Sequence, residues 1–218
     1  MENKISSVLE TLFKKYNISK TTLNKMRSQT EKPDAFKILI SCLISLRTRD
    51  ENTEKVSAKL FEVAQSPEEI ISLPIKELEK LIFSSGYYKN KARTLKHVSE
   101  EVKNRFGGKV PDTREELLSM KGIGPKTANI VLAFAYGQEV IPVDVNVHRI
   151  VNRLGFLETK TAEKTEIEIH KVVPKKFWRE INSVLVQFGR EICLPISPWC
   201  SKCPVEKFCP KIGVSRRR

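Results

Sequence analysis

No stretch of about 18 consecutive apolar residues occurs in this chain, so the sequence predicts no transmembrane helix. The first twenty residues, MENKISSVLETLFKKYNISK, carry charges throughout and lack the apolar core of a signal peptide. The expectation is a soluble, intracellular protein. No run alternates apolar and polar residues as a half-buried strand would, and there is neither a low-complexity segment nor a repeat of solenoid period. A nucleotide-binding P-loop is missing too. Gly124-Pro125-Lys126-Thr127 looks like the end of one, but that loop needs glycine just before the lysine, and Pro125 has no N–H to offer a phosphate. Acidic residues are in short supply, 26 against 39 lysines and arginines, which leaves a net charge of +13 and points to an anionic partner, nucleic acid or an acidic membrane surface.

What remains is helical almost throughout. Ile5, Val8, Leu9, Leu12 and Phe13 recur at helical spacing. DAFKILISCLISLRTR reads as a buried helix with Cys42 as a core residue. SPEEIISL opens with a serine cap and proline at the first helical position. NKARTLKHVSEEVKNRFGG ends on paired glycines, and Thr113 with Glu116 predicts a capping box. Further helices are expected at PIKELEKLIFSSG up to Gly86, from Pro125 to about Tyr136, and at VNVHRIVNRLG, EKTEIEIHKVV and FWREINSVLVQFGREIC. SRRR at 215–218 reads as a solvated basic segment, with contact to DNA as the other reading.

Gly122-Ile123-Gly124 between two helices predicts a sharp αα-hairpin, with Ile123 plugged into the apolar interior. The N–H groups of the second helix start can take an anion at the positive end of the helix dipole. Lys126 sits in that first turn, where the dipole disfavours a cation, so its pKa is expected to fall and to leave more free amine. A free amine is a nucleophile that forms a Schiff base with a sugar aldehyde. The other reading is a phosphate clamp. Asp144 can cap the helix after it. The Lys126 helix runs about 15 Å, and residues 137–143 span roughly 23 Å when extended. The chain can therefore return and set Asp144 beside the hairpin, where a carboxylate takes a proton from the lysine or stabilises a cationic sugar. Capping and catalysis are compatible in one residue. Four of the five cysteines, Cys193, Cys200, Cys203 and Cys209, lie within seventeen positions. In a reducing compartment such a group points to metal before disulfides, and the spacing alone leaves Zn²⁺ and a [4Fe–4S] cluster both open.

KGIGPKTANIVLAFAYG, then VDVNVHRIVNRLGF, then Cys193-x6-Cys200-x2-Cys203-x5-Cys209, resembles the endonuclease III family of helix-hairpin-helix–Gly/Pro–Asp DNA glycosylases over residues 30–210. The resemblance implies an all-α fold in two lobes with the DNA cleft between them: a six-helix barrel over 28–138, and an iron–sulfur lobe that joins 1–27 to 139–218. It implies a monomer that binds double-stranded DNA carrying a damaged base, flips that base out and removes it. It implies Lys126 as the nucleophile at the sugar C1′, β-elimination on the 3′ side, and Asp144 as the carboxylate that assists base loss. It implies a [4Fe–4S] cluster on the four cysteines, Gly122, Ile123 and Gly124 as the DNA grip, and Arg47 and Tyr87 where the family fills the space of the flipped base. For those two, a phosphate contact and a half-buried loop tyrosine are the plainer readings. A monofunctional mismatch or uracil glycosylase is the alternative function. Three departures stand out. Asn146 replaces a common His, Arg47 and Tyr87 replace a Gln and a Leu, and the stretch LPISPW between the first two cysteines carries no positive charge where the family supplies basic residues. Lys202 and Lys207 are the nearby candidates to compensate.

Overall fold

The computed structural model describes residues 2–16, 33–48 and 50–218. Among them every regular element is a helix and no strand occurs. They divide into two compact units, one within Met1–Lys20 and Glu139–Arg218, the other within Thr21–Gln138. The lobe boundary expected at 27/28 lies outside the described residues.

In the second of these units, α2 (Ala35–Ser45) is apolar on every face and buried from Ile38 to Ile44. Each such aliphatic side chain contributes about 1.5–3 kcal/mol by leaving water. Asp34 caps α2, its Oδ1 accepting the Lys37 N–H at 3.0 Å. Around α2 pack α3 (Asp50–Phe61), α6 (Tyr88–Phe106) and α8 (Pro125–Phe134). The short helices α4 (Pro67–Ser72) and α5 (Ile75–Leu81) cover α6, and α7 (Arg114–Ser119) leads into α8. Ser66 forms a full capping box with Glu69. Thr113 does not. Its hydroxyl accepts the Glu116 N–H but donates to the Glu116 carboxylate at 2.6 Å, so that carboxylate holds the cap side chain rather than the cap N–H.

The other unit has its own core. α1 (Glu2–Lys15) sets Ile5, Val8, Leu9 and Leu12 against α11 (Ile181–Glu191) and its neighbours. α9 (Val145–Arg153) lies between α10 (Ala162–Val172) and α11. The helix expected from Phe177 begins only at Ile181; Lys175–Phe177 form a separate 3-10 turn after Pro174. α2 likewise stops at Ser45 rather than running on through the arginines, because Leu46 turns extended and Arg47 is left-handed. α8 ends at Phe134, short of Tyr136.

Candidate active site and cysteine cluster

The hairpin forms as its glycines require. Gly122 has φ +101°, a backbone that side-chain-bearing residues rarely adopt, and a Cβ there would lie 2.8 Å from Thr94 Cγ2. Ile123 is 6% exposed and its N–H bonds to Met120 O at 3.1 Å, so it does plug the turn. Gly124 is the extended N-cap of α8, Pro125 follows, and no side chain caps this helix start. Lys126 stands half-buried in the first turn, within electrostatic reach of the buried Cys42 thiol. Burial raises that thiol's pKa and the Lys126 charge opposes the rise. Cys42 is the core cysteine expected.

Arg47 and Tyr87 meet, with the guanidinium 5.3 Å from the ring centroid. Both are left-handed without being glycine, φ 55° and 59°, a cost of order 1 kcal/mol each. Tyr87 is 63% exposed. The two line a cavity of about 380 Å³ together with Leu46, Lys91, Thr94 and Gly122, so three predicted site residues from separate segments face one space. Beneath them is a residue the sequence did not disclose. Lys91 Nζ donates to Ile44 O and to Thr48 Oγ1, both at 2.6 Å, and Thr48 Oγ1 also accepts the Gly86 N–H at 3.2 Å. This ammonium occupies a carbonyl at the end of α2 and ties the Arg47 loop to the Tyr87 loop. Burial lowers its pKa to about 8.

Asp144, in the other unit, is the N-cap of α9. Its Oδ1 accepts the N–H of Asn146 at 2.8 Å and of Val147 at 2.9 Å, and Oδ2 accepts Asn146 Nδ2 at 3.0 Å. Asn146 Oδ1 in turn accepts Arg149 Nη2 at 2.9 Å, and the same guanidinium reaches Cys193 O at 2.9 Å and Gly189 O at 3.2 Å. A chain of hydrogen bonds thus runs from the first cysteine's backbone to the carboxylate. Gly189, in the last turn of α11, makes room for it: a Cβ there would lie 2.9 Å from Arg149 Nη2 and 3.0 Å from Asn146 Oδ1. A glycine inside a helix was the one sequence signal of this close approach.

The four cysteines line one cavity with Arg153 and Trp199. Arg153 anchors the loop after the first of them, donating to Leu194 O and Pro195 O, each at 2.7 Å. Burial first, then the neighbouring thiols, pushes Cys203 up to about 11 and raises Cys209. Bare thiols are poorly matched to this place, and a bound cation would reverse the balance. Thiols ranged around a cavity suit a cluster, where each takes a different iron. The Tyr16 hydroxyl is buried with no hydrogen-bond partner among the described residues. The donor set therefore fits an iron–sulfur group.

Residues 40–175 match the family model described as HhH-GPD superfamily base excision DNA repair protein. Endonuclease III of Thermotoga maritima is 46% identical over 176 residues, 81% of this chain and 83% of that protein. The chain belongs to the endonuclease III family. Two solved structures agree, each 31% identical and matched over 97% of this chain and 96% of theirs. One is a non-covalent endonuclease III–DNA complex (TM-score 0.84); the other is a trapped endonuclease III–DNA covalent intermediate with an estranged adenine (TM-score 0.83). The all-α helix-hairpin-helix fold read from the sequence is that of these relatives, and endonuclease III proteins usually carry a [4Fe–4S] cluster.

Proposed function

We propose that Lys126 is the nucleophile and Asp144 the assisting carboxylate of a bifunctional DNA glycosylase and abasic-site lyase. The activity follows from membership of the endonuclease III family; the residue roles rest on chemistry. The observation that carries them is a lysine in the first turn of an uncapped helix, after a Gly-Ile-Gly turn suited to phosphate. The amine attacks the sugar C1′, the base departs, and the iminium that results allows β-elimination on the 3′ side. Asp144 is held by three donors, and it offers a fixed negative charge to the cationic sugar as the base leaves. The hairpin amides around Gly122, Ile123 and Gly124 grip a phosphate, and Arg47 with Tyr87 fills the space of the flipped base, which costs least to extrude when it is damaged or mispaired. Oxidised pyrimidines in duplex DNA are the substrate class, and the protein works as an intracellular monomer. Cys193, Cys200, Cys203 and Cys209 hold the [4Fe–4S] cluster, which when bound supplies structural cross-linking to the loop they span.

Borohydride trapping on a duplex with one abasic site tests the assignment. The unaltered chain should cross-link at Lys126, and Lys126→Gln should bind duplex without cross-linking. Asp144→Asn should lose base release on a lesion-bearing duplex while still trapping on a ready-made abasic site. A cross-link that survives at another residue in Lys126→Gln removes the lysine from this role. Base release by Asp144→Asn at the unaltered rate does the same for the aspartate.

A further inference from the structure

Two loops of the unit built on α2 meet backbone to backbone beneath the Arg47–Tyr87 pair. A Cβ at Gly86 would lie 2.7 Å from Arg47 O, so the loops close only because this residue has none. The Gly86 N–H donates to Thr48 Oγ1 at 3.2 Å. Lys91 holds the same junction from below. Its backbone N–H donates to Tyr87 O at 3.1 Å as the first bond of α6, and its Nζ donates to Ile44 O and Thr48 Oγ1, both at 2.6 Å. One residue thus joins the carbonyl of Tyr87 to the end of α2 and to the residue after Arg47. Burial disfavours the Lys91 charge, and an apolar side chain would fill the place without that penalty. Arg47 and Tyr87 are left-handed without being glycine, φ 55° and 59°, and both stand exposed. Strained backbone and a buried charge gathered under two exposed side chains suit a preorganised contact. A plain helix junction would use neither.

We propose that Lys91, acting through Thr48, is the positioning residue that presets Arg47 and Tyr87 for entry into the duplex. This role rests on the reading of that pair as the filler of the flipped base's space, and it names what holds the pair ready. Lys91 acts from beneath, not by contact with the strand. The Thr48 hydroxyl is the relay: it accepts from Lys91 and from Gly86, and its own proton goes to Leu46 O at 3.5 Å. Without the ammonium, Ile44 O and Thr48 Oγ1 lose the donor they share, and the turn over Leu46–Thr48 is free to leave the left-handed backbone at Arg47. The guanidinium, 5.3 Å from the Tyr87 ring centroid, then loses its fixed place over the ring. The pair must be ordered anew each time a base is extruded, and that ordering slows the step.

The test is single-turnover base release from a duplex carrying one dihydrouracil, at saturating concentrations of the cluster-loaded protein. Lys91→Met should slow release about tenfold. Thr48→Val, which removes the relay oxygen, should slow it to a similar degree, while Thr48→Ser keeps that oxygen and should keep most of the rate. In the Arg47→Ala/Tyr87→Ala chain, itself slow, Lys91→Met should cause no further loss, because the pair it presets is gone. A lysine that merely supports the fold would slow both chains alike. Should Lys91→Met fail to fold, Thr48→Val against Thr48→Ser in the same two chains decides. Parent rates in folded Lys91→Met and in Thr48→Val overturn the positioning role, and so does an undiminished loss in the Arg47→Ala/Tyr87→Ala chain. A parent rate in the Arg47→Ala/Tyr87→Ala chain itself overturns the gap-filling reading and the role of Lys91 with it, a result distinct from the other two.

Discussion

Lys91 is 8% exposed and carries its charge among backbone and hydroxyl oxygens. Burial holds its pKa near 8 rather than the 10.5 of an open lysine. The fold therefore disfavours the charged form, and the unfolded chain binds the proton more tightly. Below about pH 8 both states are protonated and the folded state bears the full penalty. Above about 10.5 both are neutral and the penalty is gone. Stability contributed by this residue must rise with pH across that window, by up to about 3 kcal/mol. Comparison with Lys91→Met isolates it, because the remaining titrations are shared. Denaturant unfolding at pH 7 and pH 10 should show the unaltered protein gaining on the variant as pH rises. A constant difference would mean the ammonium is solvated in solution. Nothing in the sequence sets Lys91 apart from the other 38 basic residues. Its partners are 43 and 47 positions away, and the local signals that make helices legible say nothing about such a reach. The place of Lys126 in the first turn of a helix was legible for the opposite reason, since the four residues before it set that place. Arg149 falls between the two cases: the helix placing it was clear, while its reach to the Cys193 carbonyl needed the fold.

At the scale of elements, the α7–α8 hairpin depends on one torsion and one contact. Ala at position 122 would require φ near +101° and would push its methyl against Thr94 Cγ2. Gly122→Ala should therefore cost about 1–3 kcal/mol and weaken duplex binding, because the turn that presents the hairpin amides shifts. Thr94→Ser removes the opposing methyl while keeping a hydroxyl for Asn90 O, its present acceptor at 3.0 Å. Added to Gly122→Ala, it should recover the steric part of the loss in thermal unfolding and leave the torsional part. No recovery would make the torsion the whole cost. Element ends were the least legible feature. Ser66 was readable because serine, proline and glutamate stand at the three cap positions together. Thr113 carried the same pattern, but its hydroxyl turns to the glutamate carboxylate, a choice between two acceptors that spacing does not settle. α2 ends early because the Arg47 loop is tied to Gly86 and Lys91, a tertiary cause.

At the scale of the whole molecule, the two units have separate cores, and the cysteine loop belongs to the unit that also holds α1. Both tryptophans, Trp178 and Trp199, lie in that unit. Indole emission therefore reports on one unit, while helical dichroism reports on both. Cys203→Ser removes one proposed cluster ligand from a loop whose other fixings are Arg153 and backbone turns. The covalent cross-link of this loop should then fail, and the tryptophan transition should fall by on the order of 10 °C or more. The helices of the other unit are closed around α2 by their own apolar contacts. Their share of the dichroism should melt at an unchanged temperature, splitting one transition into two. A single transition that moves down as a whole in both signals would show that the units unfold together, and stability would then pass between them by contacts rather than reside in each. A transition unmoved in both signals would remove Cys203 from the ligand set.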